Sequence, residues 1–285
     1  MAGADPDSGA EEAITKDEIQ GEEPPPRKKA RNAFSELMTP KPKSKVTAET
    51  SSPSHSYSRG GNPFKDRMGL GAYIEDPASF PATRVIYHTP DFVAIHDKFP
   101  KATVHTLLLP RSAKHNLLHP FDALADDDFR ADVVAETHRL KHLAAAELRR
   151  LLGRESKADA DRQAVLDGSV EPMDGSLPEG RDWSKDIMVG VHAVPSMSHV
   201  HVHILSRDMH SPALKHRKHY NSFNTPFFVP LDDFPLAADD PRRRTRDEQY
   251  LQWGMRCWRC GRDLGRRFKL LKEHLEEEFT MWKKE

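Results

Sequence analysis

The stretch His199-Val200-His201-Val202-His203-Ile204-Leu205 decides how this chain is read. Strict polar/apolar alternation is the period of a β-strand, in which successive side chains point to opposite faces. All three histidines then line one face, while Val200, Val202 and Ile204 enter a core on the other. A half-buried strand with ordinary polar alternation is one competing reading, and a metal site of neighbouring imidazoles is another. The favoured reading is catalysis, because crowding three titratable rings on one face brings no structural gain. A neutral imidazole attacks phosphorus when one nitrogen offers a lone pair and the other is fixed as N–H to an acceptor. His201, in the middle, is placed to be the nucleophile. His199 and His203 then orient it or hold phosphate oxygens.

Working outward, strands are expected at Arg84–His88, Phe92–His96, Val104–Leu109 and Val189–His192. Thr89-Pro90-Asp91 turns the first into the second. Asp126–Leu152 carries apolar residues at helical spacing (Phe129, Val133, Val134, Leu140, Leu143) behind acidic first-turn positions, which predicts a long helix. The segment 154–186 holds nine acids, five bases and scattered Gly and Pro, and reads as a flexible acidic insertion. Pro226–Pro241 reads as a proline-rich connector. A last helix is expected from about Phe268.

Ile95-His96-Asp97-Lys98-Phe99-Pro100-Lys101-Ala102 runs into Val104-His105-Thr106-Leu107-Leu108-Leu109-Pro110. Together with the histidine alternation, these stretches resemble the histidine triad (HIT) superfamily of nucleotidyl hydrolases and transferases. The resemblance implies an α+β fold, a HIT-like antiparallel sheet with helices over residues 70–232, and a nucleotidyl-histidine intermediate on His201. It also implies that Asp97 binds the ribose hydroxyls, that Phe92 and Ile95 line the base pocket, and that His105 supports the site from behind. Read from the residues alone, a turn cap is the plain alternative for Asp97, with the binding role favoured, and for His105 a satisfied core histidine stands level with the supporting role. The approach loop His192-Ala193-Val194-Pro195-Ser196-Met197-Ser198 offers hydroxyls and backbone N–H groups to a phosphate. His192, Ser196 and Ser198 are therefore nucleotide-binding candidates, and Ser196 matches a phosphate-binding serine of the superfamily.

Beyond the triad, Lys215, Arg217, Lys218, His219, Tyr220, Asn221 and Phe223 form a basic, aromatic tail of the kind that engages polynucleotide bases and phosphates. Farther on, Cys257-x2-Cys260 is followed after thirteen residues by His274-x3-Glu278, the spacing of a zinc finger whose last ligand is a carboxylate. His274 and Glu278, four apart, share a helix face. Glu276 and Glu277 compete for the fourth position. A closed set of four ligands makes the zinc structural, one site, within a finger module spanning 242–285. Residues 242–272 carry eleven bases and three acids, and Arg262, Arg266 and Arg267, with Lys215, Lys218, His219, Asn221 and Phe223, are the DNA-binding candidates.

A triad domain followed by one such finger resembles the DNA 5′-adenylate hydrolase branch of the superfamily, in its fungal form. HAVPSMSHVHVHILSRD (His192–Asp208), SPALKHRKHYNSFNT (Ser211–Thr225) and the CWRC and LKEHLEEEF stretches carry that likeness. It implies removal of AMP from 5′-adenylated DNA nicks or ends, with RNA–DNA junctions as a second substrate class. It also implies that His210 donates to the leaving phosphate, where a surface histidine is the plain reading. No forkhead-associated domain precedes the catalytic part, so recruitment through phosphorylated repair proteins is not expected.

Composition bounds the alternatives. The 285 residues carry 43 Lys+Arg against 44 Asp+Glu, a formal net charge of −1 that by itself argues against a nucleic-acid partner. Charge is segregated, however. Residues 1–25 hold eight acids and one base, and residues 26–50 hold seven bases and two acids. The stretch 1–62, poor in aromatics, is expected to be disordered. Its Arg27-Lys28-Lys29-Ala30-Arg31 run resembles a nuclear-import signal, hence an expected nuclear location, and Asn32–Met38 suggests an amphipathic turn for a partner. Two cysteines are too few for a secreted disulfide framework. No run of about 18 apolar residues exists, so no membrane partner is expected. Two rival functions stay open: a small-nucleotide HIT hydrolase (AMP-amidates, dinucleoside polyphosphates, cap scavenging) and a non-catalytic zinc-finger nucleic-acid binder. The first leaves the finger without work, and the second leaves the triad without work.

Overall fold

The computed structural model describes residues 67–172, 174–244 and 249–285. The expected disordered stretch 1–62, the basic run 27–31 and the segment 32–38 lie outside the described residues. Six strands form one antiparallel sheet: β1 (Val85–His88), β2 (Phe92–His96), β3 (His105–Pro110), β4 (Ile187–His192), β5 (Val202–Ser206) and β6 (Phe228–Pro230). Their spatial order is β1-β2-β3-β5-β4-β6. A two-stranded hairpin, β7 (Met255–Arg256) and β8 (Asp263–Gly265), stands apart in the finger. The helices are α1 (Gly71–Glu75), α2 (Pro120–Ala123), α3 (Asp127–Leu152), α4 (Ala160–Leu166), α5 (Arg217–Asn224) and α6 (Phe268–Trp282). No helix among the described residues is long and apolar enough to cross a membrane.

α3 begins where its acids place it. Asp126 caps it by accepting the Phe129 amide at 3.1 Å, and Arg149 and Arg150 sit in the last turn, each complementing the helix dipole. Its apolar stripe of Phe129, Val133, Leu140 and Leu148 packs on Phe92, Ala94, Leu108, Val202 and Ile204, one face of the sheet. The opposite face carries two clusters. One joins Leu70 and Ile74 of the α1 region to Val93, Ile95, Leu107 and Leu109. The other joins Leu205, Met209, Tyr220, Phe223 and Phe228 to Met255, Leu264, Leu271 and Leu275 of the finger. The finger therefore shares its core with the sheet domain.

Three expectations need correction. The central strand starts at Val202, not His199, so only His203 of the triad lies within it. The proline-rich connector supplies edge strand β6, which pairs with β4 through Val191↔Val229. The acidic insertion contains α4 and is tied down at a buried carboxylate. Asp159 accepts the Arg181 amide at 2.8 Å and the Trp183 indole N–H at 2.7 Å, with the Arg149 guanidinium 3.8 Å away. Gly180, in the left-handed region (φ 68°), leaves no room for a side chain: a Cβ there would fall 2.0 Å from Asp159 Oδ1.

Replacing Asp159 by Ala strands a buried indole N–H and an amide at once, and removes the carboxylate beside the Arg149 guanidinium. The expected cost is about 2–4 kcal/mol, seen as a lower urea midpoint at unchanged slope. An unchanged midpoint would show that the insertion contributes nothing to the fold.

Candidate active site

Three neighbouring strands bring their histidines to one face. His105 comes from β3, His192 from β4 and His203 from β5, with Leu107 and Gly190 directly opposite His203. The His203 ring centre lies 4.3 Å from His192, 5.3 Å from His105 and 5.0 Å from His201. Phe223 of α5 closes the cluster edge-on, 5.2 Å from His203 and 5.4 Å from His105. The rings open into a cleft of about 280 Å³, whose apolar wall includes Leu70, Tyr73, Ile95, Leu107 and Met197.

The hydrogen bonds fix which ring nitrogens carry protons. The Lys101 amide donates to His105 Nδ1 at 3.1 Å, so that nitrogen is bare and Nε2 carries the proton. His105 Nε2 then donates to His203 Nδ1 at 3.0 Å, with Asp97 Oδ2 3.5 Å away on the same side. His203 is left with an Nε2–H that is buried and has no protein partner. His201 Nδ1 lies 2.7 Å from the His199 carbonyl, which only accepts, so Nδ1 carries the proton and Nε2 keeps its lone pair. The result is one bare nitrogen on His201 beside one unsatisfied donor on His203. Asp97, His105 and His203 lie close enough to suggest a metal site. The lone pairs of both rings are already engaged, however, so the donor set does not fit one.

Burial is the leading cause of every pKa shift in the cluster, and it disfavours the imidazolium. It pushes His105 down to about 4, holds His192 and His203 well below the ordinary histidine value, and lowers His201. For His201 the bond to the His199 carbonyl and the charge of Asp97 partly oppose it. The histidine cluster is therefore neutral and donor-rich, and the charged groups on the cleft are Asp97, Lys98 and Lys101.

The structure brings Ile95, Asp97, His105, His192, Ser196, His201, His203 and Phe223 together on the cleft. Asp97 also caps the following turn, its Oδ1 accepting the Phe99 amide at 2.7 Å. Several expectations do not hold. Phe92 faces the other way, buried in the α3 core, because it and Ile95 are three apart on a strand and cannot share a face. Ser198 is spent on a backbone bond to Arg67 and lies off the cleft, and His199 packs behind it. A Cβ on Gly71 would fall 2.9 Å from the His199 ring, so α1 needs glycine there to cover it. His210 is turned away from the cleft. It stacks on Phe279 at 3.8 Å, nearly parallel, and meets Glu276 at 3.0 Å. His219 and Asn221 are fully buried, and Asn221 Nδ2 holds the Leu251 and Trp253 carbonyls. Lys215, Arg262, Arg266 and Arg267 are exposed, and Lys218 is half-buried.

The sequence reading missed Leu70, Tyr73, Phe99, Lys101, Met197 and Phe227 as cleft residues. Lys101 acts through its backbone amide, which leaves no side-chain signature. The α1 region is too short for periodicity to reveal. Arg67 pins that region over the approach loop, donating to the Ser196 carbonyl at 2.7 Å and the Pro195 carbonyl at 3.2 Å.

In the finger, Cys257 and Cys260 flank a tight turn closed by Gly261 N–H to the Cys257 carbonyl at 3.0 Å. His274 and Glu278 face them from α6. The four donor atoms lie within 4.8 Å of one another, with Cys260 Sγ 3.1 Å and Glu278 Oε1 3.3 Å from His274 Nε2. Glu278 is buried, while Glu277 and Glu276 are exposed, and Glu276 is engaged with His210. Two thiols, an imidazole and a carboxylate converging at the end of a buried helix face suit a closed, structural zinc site.

Comparison with known proteins agrees with this geometry. The chain matches the HIT domain family over residues 81–210 and the C2HE / C2H2 / C2HC zinc-binding finger family over residues 224–281. It is 34% identical to the aprataxin-like protein of Saccharomyces cerevisiae, over 75% of this chain and 96% of that one. It is 33% identical to the aprataxin-like protein of Schizosaccharomyces pombe, over 76% and 82%. The crystal structure of the aprataxin orthologue Hnt3 in complex with DNA superposes with a TM-score of 0.60 at 32% identity, covering 76% of this chain and 96% of that one.

The proton wiring is directly observable. Long-range ¹⁵N–¹H spectra at pH 7 should show His201 as the Nδ1–H tautomer and His105 and His203 as Nε2–H. At pH 6, where an exposed histidine is about three-quarters protonated, His105 and His203 should remain neutral. A His201 ring protonated on Nε2 at pH 7 would overturn the assignment of its lone pair.

Proposed function

The chain belongs to the aprataxin-like proteins of the histidine triad superfamily, and on that premise we propose that it is a DNA repair hydrolase that removes AMP from 5′-adenylated DNA ends. The observation that carries this reading is the bare Nε2 of His201 set beside the unsatisfied Nε2–H of His203, at the polar end of a nucleotide-sized cleft. His201 Nε2 attacks the α-phosphorus. A P–N bond forms as the bond from phosphorus to the oxygen of the DNA 5′-phosphate breaks, and the DNA leaves with its electron pair. Water then attacks the adenylyl-histidine, the P–N bond breaks, and AMP departs with His201 restored. Dividing one displacement into two lowers each barrier.

The surrounding residues support those steps. As His201 bonds to phosphorus its ring becomes positive, and the His199 carbonyl on Nδ1–H stabilises that charge. His203 Nε2–H is free to donate to a phosphate oxygen as negative charge builds there. Asp97 and the apolar wall around Ile95 suit a ribose and a base. A cleft of about 280 Å³ holds one mononucleotide, so the polynucleotide must lie outside it. Lys215, Arg262, Arg266 and Arg267, all exposed, are the cations that would meet its phosphates. Solved complexes of Hnt3, with DNA and with DNA and guanosine, support a polynucleotide partner for this chain as well. RNA–DNA junctions carry the same 5′-phosphate chemistry and belong to the proposal. So does a nuclear site of action, resting on the basic run Arg27–Arg31. Zinc would be held by Cys257, Cys260, His274 and Glu278, and would fix the finger without entering the reaction.

Incubation with nicked DNA carrying a 5′-adenylate should release AMP, and His201→Ala should lower the rate by at least a thousandfold with binding retained. The wild-type rate should be flat from neutral to alkaline pH and fall on the acid side. The active form is neutral His201, and burial keeps it neutral to below the ordinary histidine range. A wild-type protein that releases AMP from small amidates but never from DNA would replace this reading with a small-nucleotide hydrolase.

Metal analysis should find one zinc per chain. Cys257→Ala and Glu278→Ala should each reduce its retention under chelator by at least tenfold, whereas Glu277→Ala should not. Full zinc retention in Cys257→Ala would remove the finger from the argument.

A further inference from the structure

Four tryptophans are present in the chain, and three of them have structural work. Trp183 and Trp282 are buried in the main core and Trp258 is half-buried against it, but Trp253 is 48% exposed. Its position is defined all the same. The Trp253 carbonyl accepts from Asn221 Nδ2 at 2.9 Å, and its ring meets Tyr250 edge-on at 5.0 Å. Tyr250 and Leu251 pack on Phe227 and Val194, and both of those residues line the cleft. On its other side, Gly254 lies against Gly265 at the end of β8, so the finger hairpin begins immediately after the indole. Trp253 thus occupies the seam between cleft wall and finger, behind Tyr250, which packs with the cleft-wall residue Phe227.

The seam is also basic. Arg217 is held there by its bond to Gln252 Oε1 at 2.8 Å, and Arg256, exposed three residues after Trp253, pairs with Asp263 at 3.2 Å. An exposed indole with a fixed backbone, a supporting aromatic edge and cationic neighbours is the arrangement on which a nucleic-acid base stacks without sequence preference. A protein partner would more naturally seek a contiguous apolar patch. We propose that Trp253 is a stacking platform for a base of the DNA strand where the strand crosses from the cleft to the finger. This rests on the proposed DNA hydrolase activity and adds a recognition residue outside its chemistry.

The test compares two substrates and one spectroscopic signal. Trp253→Ala should raise KM for 5′-adenylated nicked DNA roughly tenfold to hundredfold, with kcat little changed, and leave hydrolysis of adenosine 5′-phosphoramidate at the wild-type rate. Trp253→Phe, which keeps a stacking face, should restore most of the DNA KM. Wild-type tryptophan fluorescence should be quenched by a 5′-phosphorylated nicked duplex lacking the adenylate, and Trp253→Phe should lose that quenching. An unquenched wild type, an unchanged DNA KM in Trp253→Ala, or equal losses on the phosphoramidate would each overturn the platform. Quenching through Trp253 in a protein that releases no AMP from DNA would defeat the proposed activity and leave the platform standing.

Discussion

A histidine attacks phosphorus only with one ring nitrogen bare, and here a backbone carbonyl decides which one. His201 Nδ1 meets the His199 carbonyl at 2.7 Å, two residues away on the same chain. The Val200 amide is taken by the Asn116 carbonyl, so residues 199–201 leave the sheet and the ladder starts at Val202. A side-chain bond to local backbone competes with regular structure. In this site the competition is won by the ring that needs orienting. The same logic runs through the backbone N–H of Lys101, His105 and His203, each bond fixing the next proton. No carboxylate is needed to hold His201, and the rings stay neutral because burial disfavours their charged form.

The finger completes this site as well as adjoining it. Tyr220 Oη donates to the Arg256 carbonyl at 2.7 Å and accepts the Trp258 amide at 2.9 Å, so α5 and the finger hairpin are fastened through one hydroxyl. α5 also carries Phe223, which closes the histidine cluster. Trp282 at the far end of α6 sits in the main core, edge-on to Trp183, and donates to Asp186 at 3.2 Å. α6 and α5 thus share one packed cluster, in which Leu271 and Leu275 of the finger helix are grouped with Phe223. The arrangement explains why His210 turns toward Glu276 and Phe279: it belongs to the joint between finger and domain.

Much of this was legible from residue pattern. Five of the six strands, the long helix and the Cys257, Cys260 and His274 donors follow from alternation, helical spacing and ligand spacing, whereas β6 lay in what read as a connector. What the pattern could not show has physical causes. Phe92 and Ile95 both looked like pocket residues, but their parity on β2 sends them to opposite faces. Glu276, Glu277 and Glu278 were indistinguishable in one dimension, and burial of Glu278 alone separates them. His219 and Asn221 have the chemistry of nucleic-acid contacts and are consumed inside the protein. The insertion looked loose because its charges are many, yet one of them, Asp159, is the buried anchor that orders it. Composition reports the number of charges and not their partners.

The same distinction governs how recognition and chemistry divide. The net charge of −1 concealed segregated segments, and the structure adds a second separation. The cleft rings are neutral, so they contribute little long-range attraction to a polyanion. The exposed arginines of the finger, Arg262, Arg266 and Arg267, do not line the cleft, and on the proposed function attraction to the polynucleotide resides with them. Counterion release makes that attraction strongly dependent on salt, whereas hydrogen bonds inside a buried neutral pocket are screened far less. On the proposed reaction, ionic strength therefore bears on how tightly the DNA end is held, and the displacement at phosphorus proceeds in an environment that salt barely reaches. Neutral histidines suit that division better than cations would. Charged rings beside Lys98 and Lys101 would tighten the hold on AMP, the anionic product, as well as on the substrate.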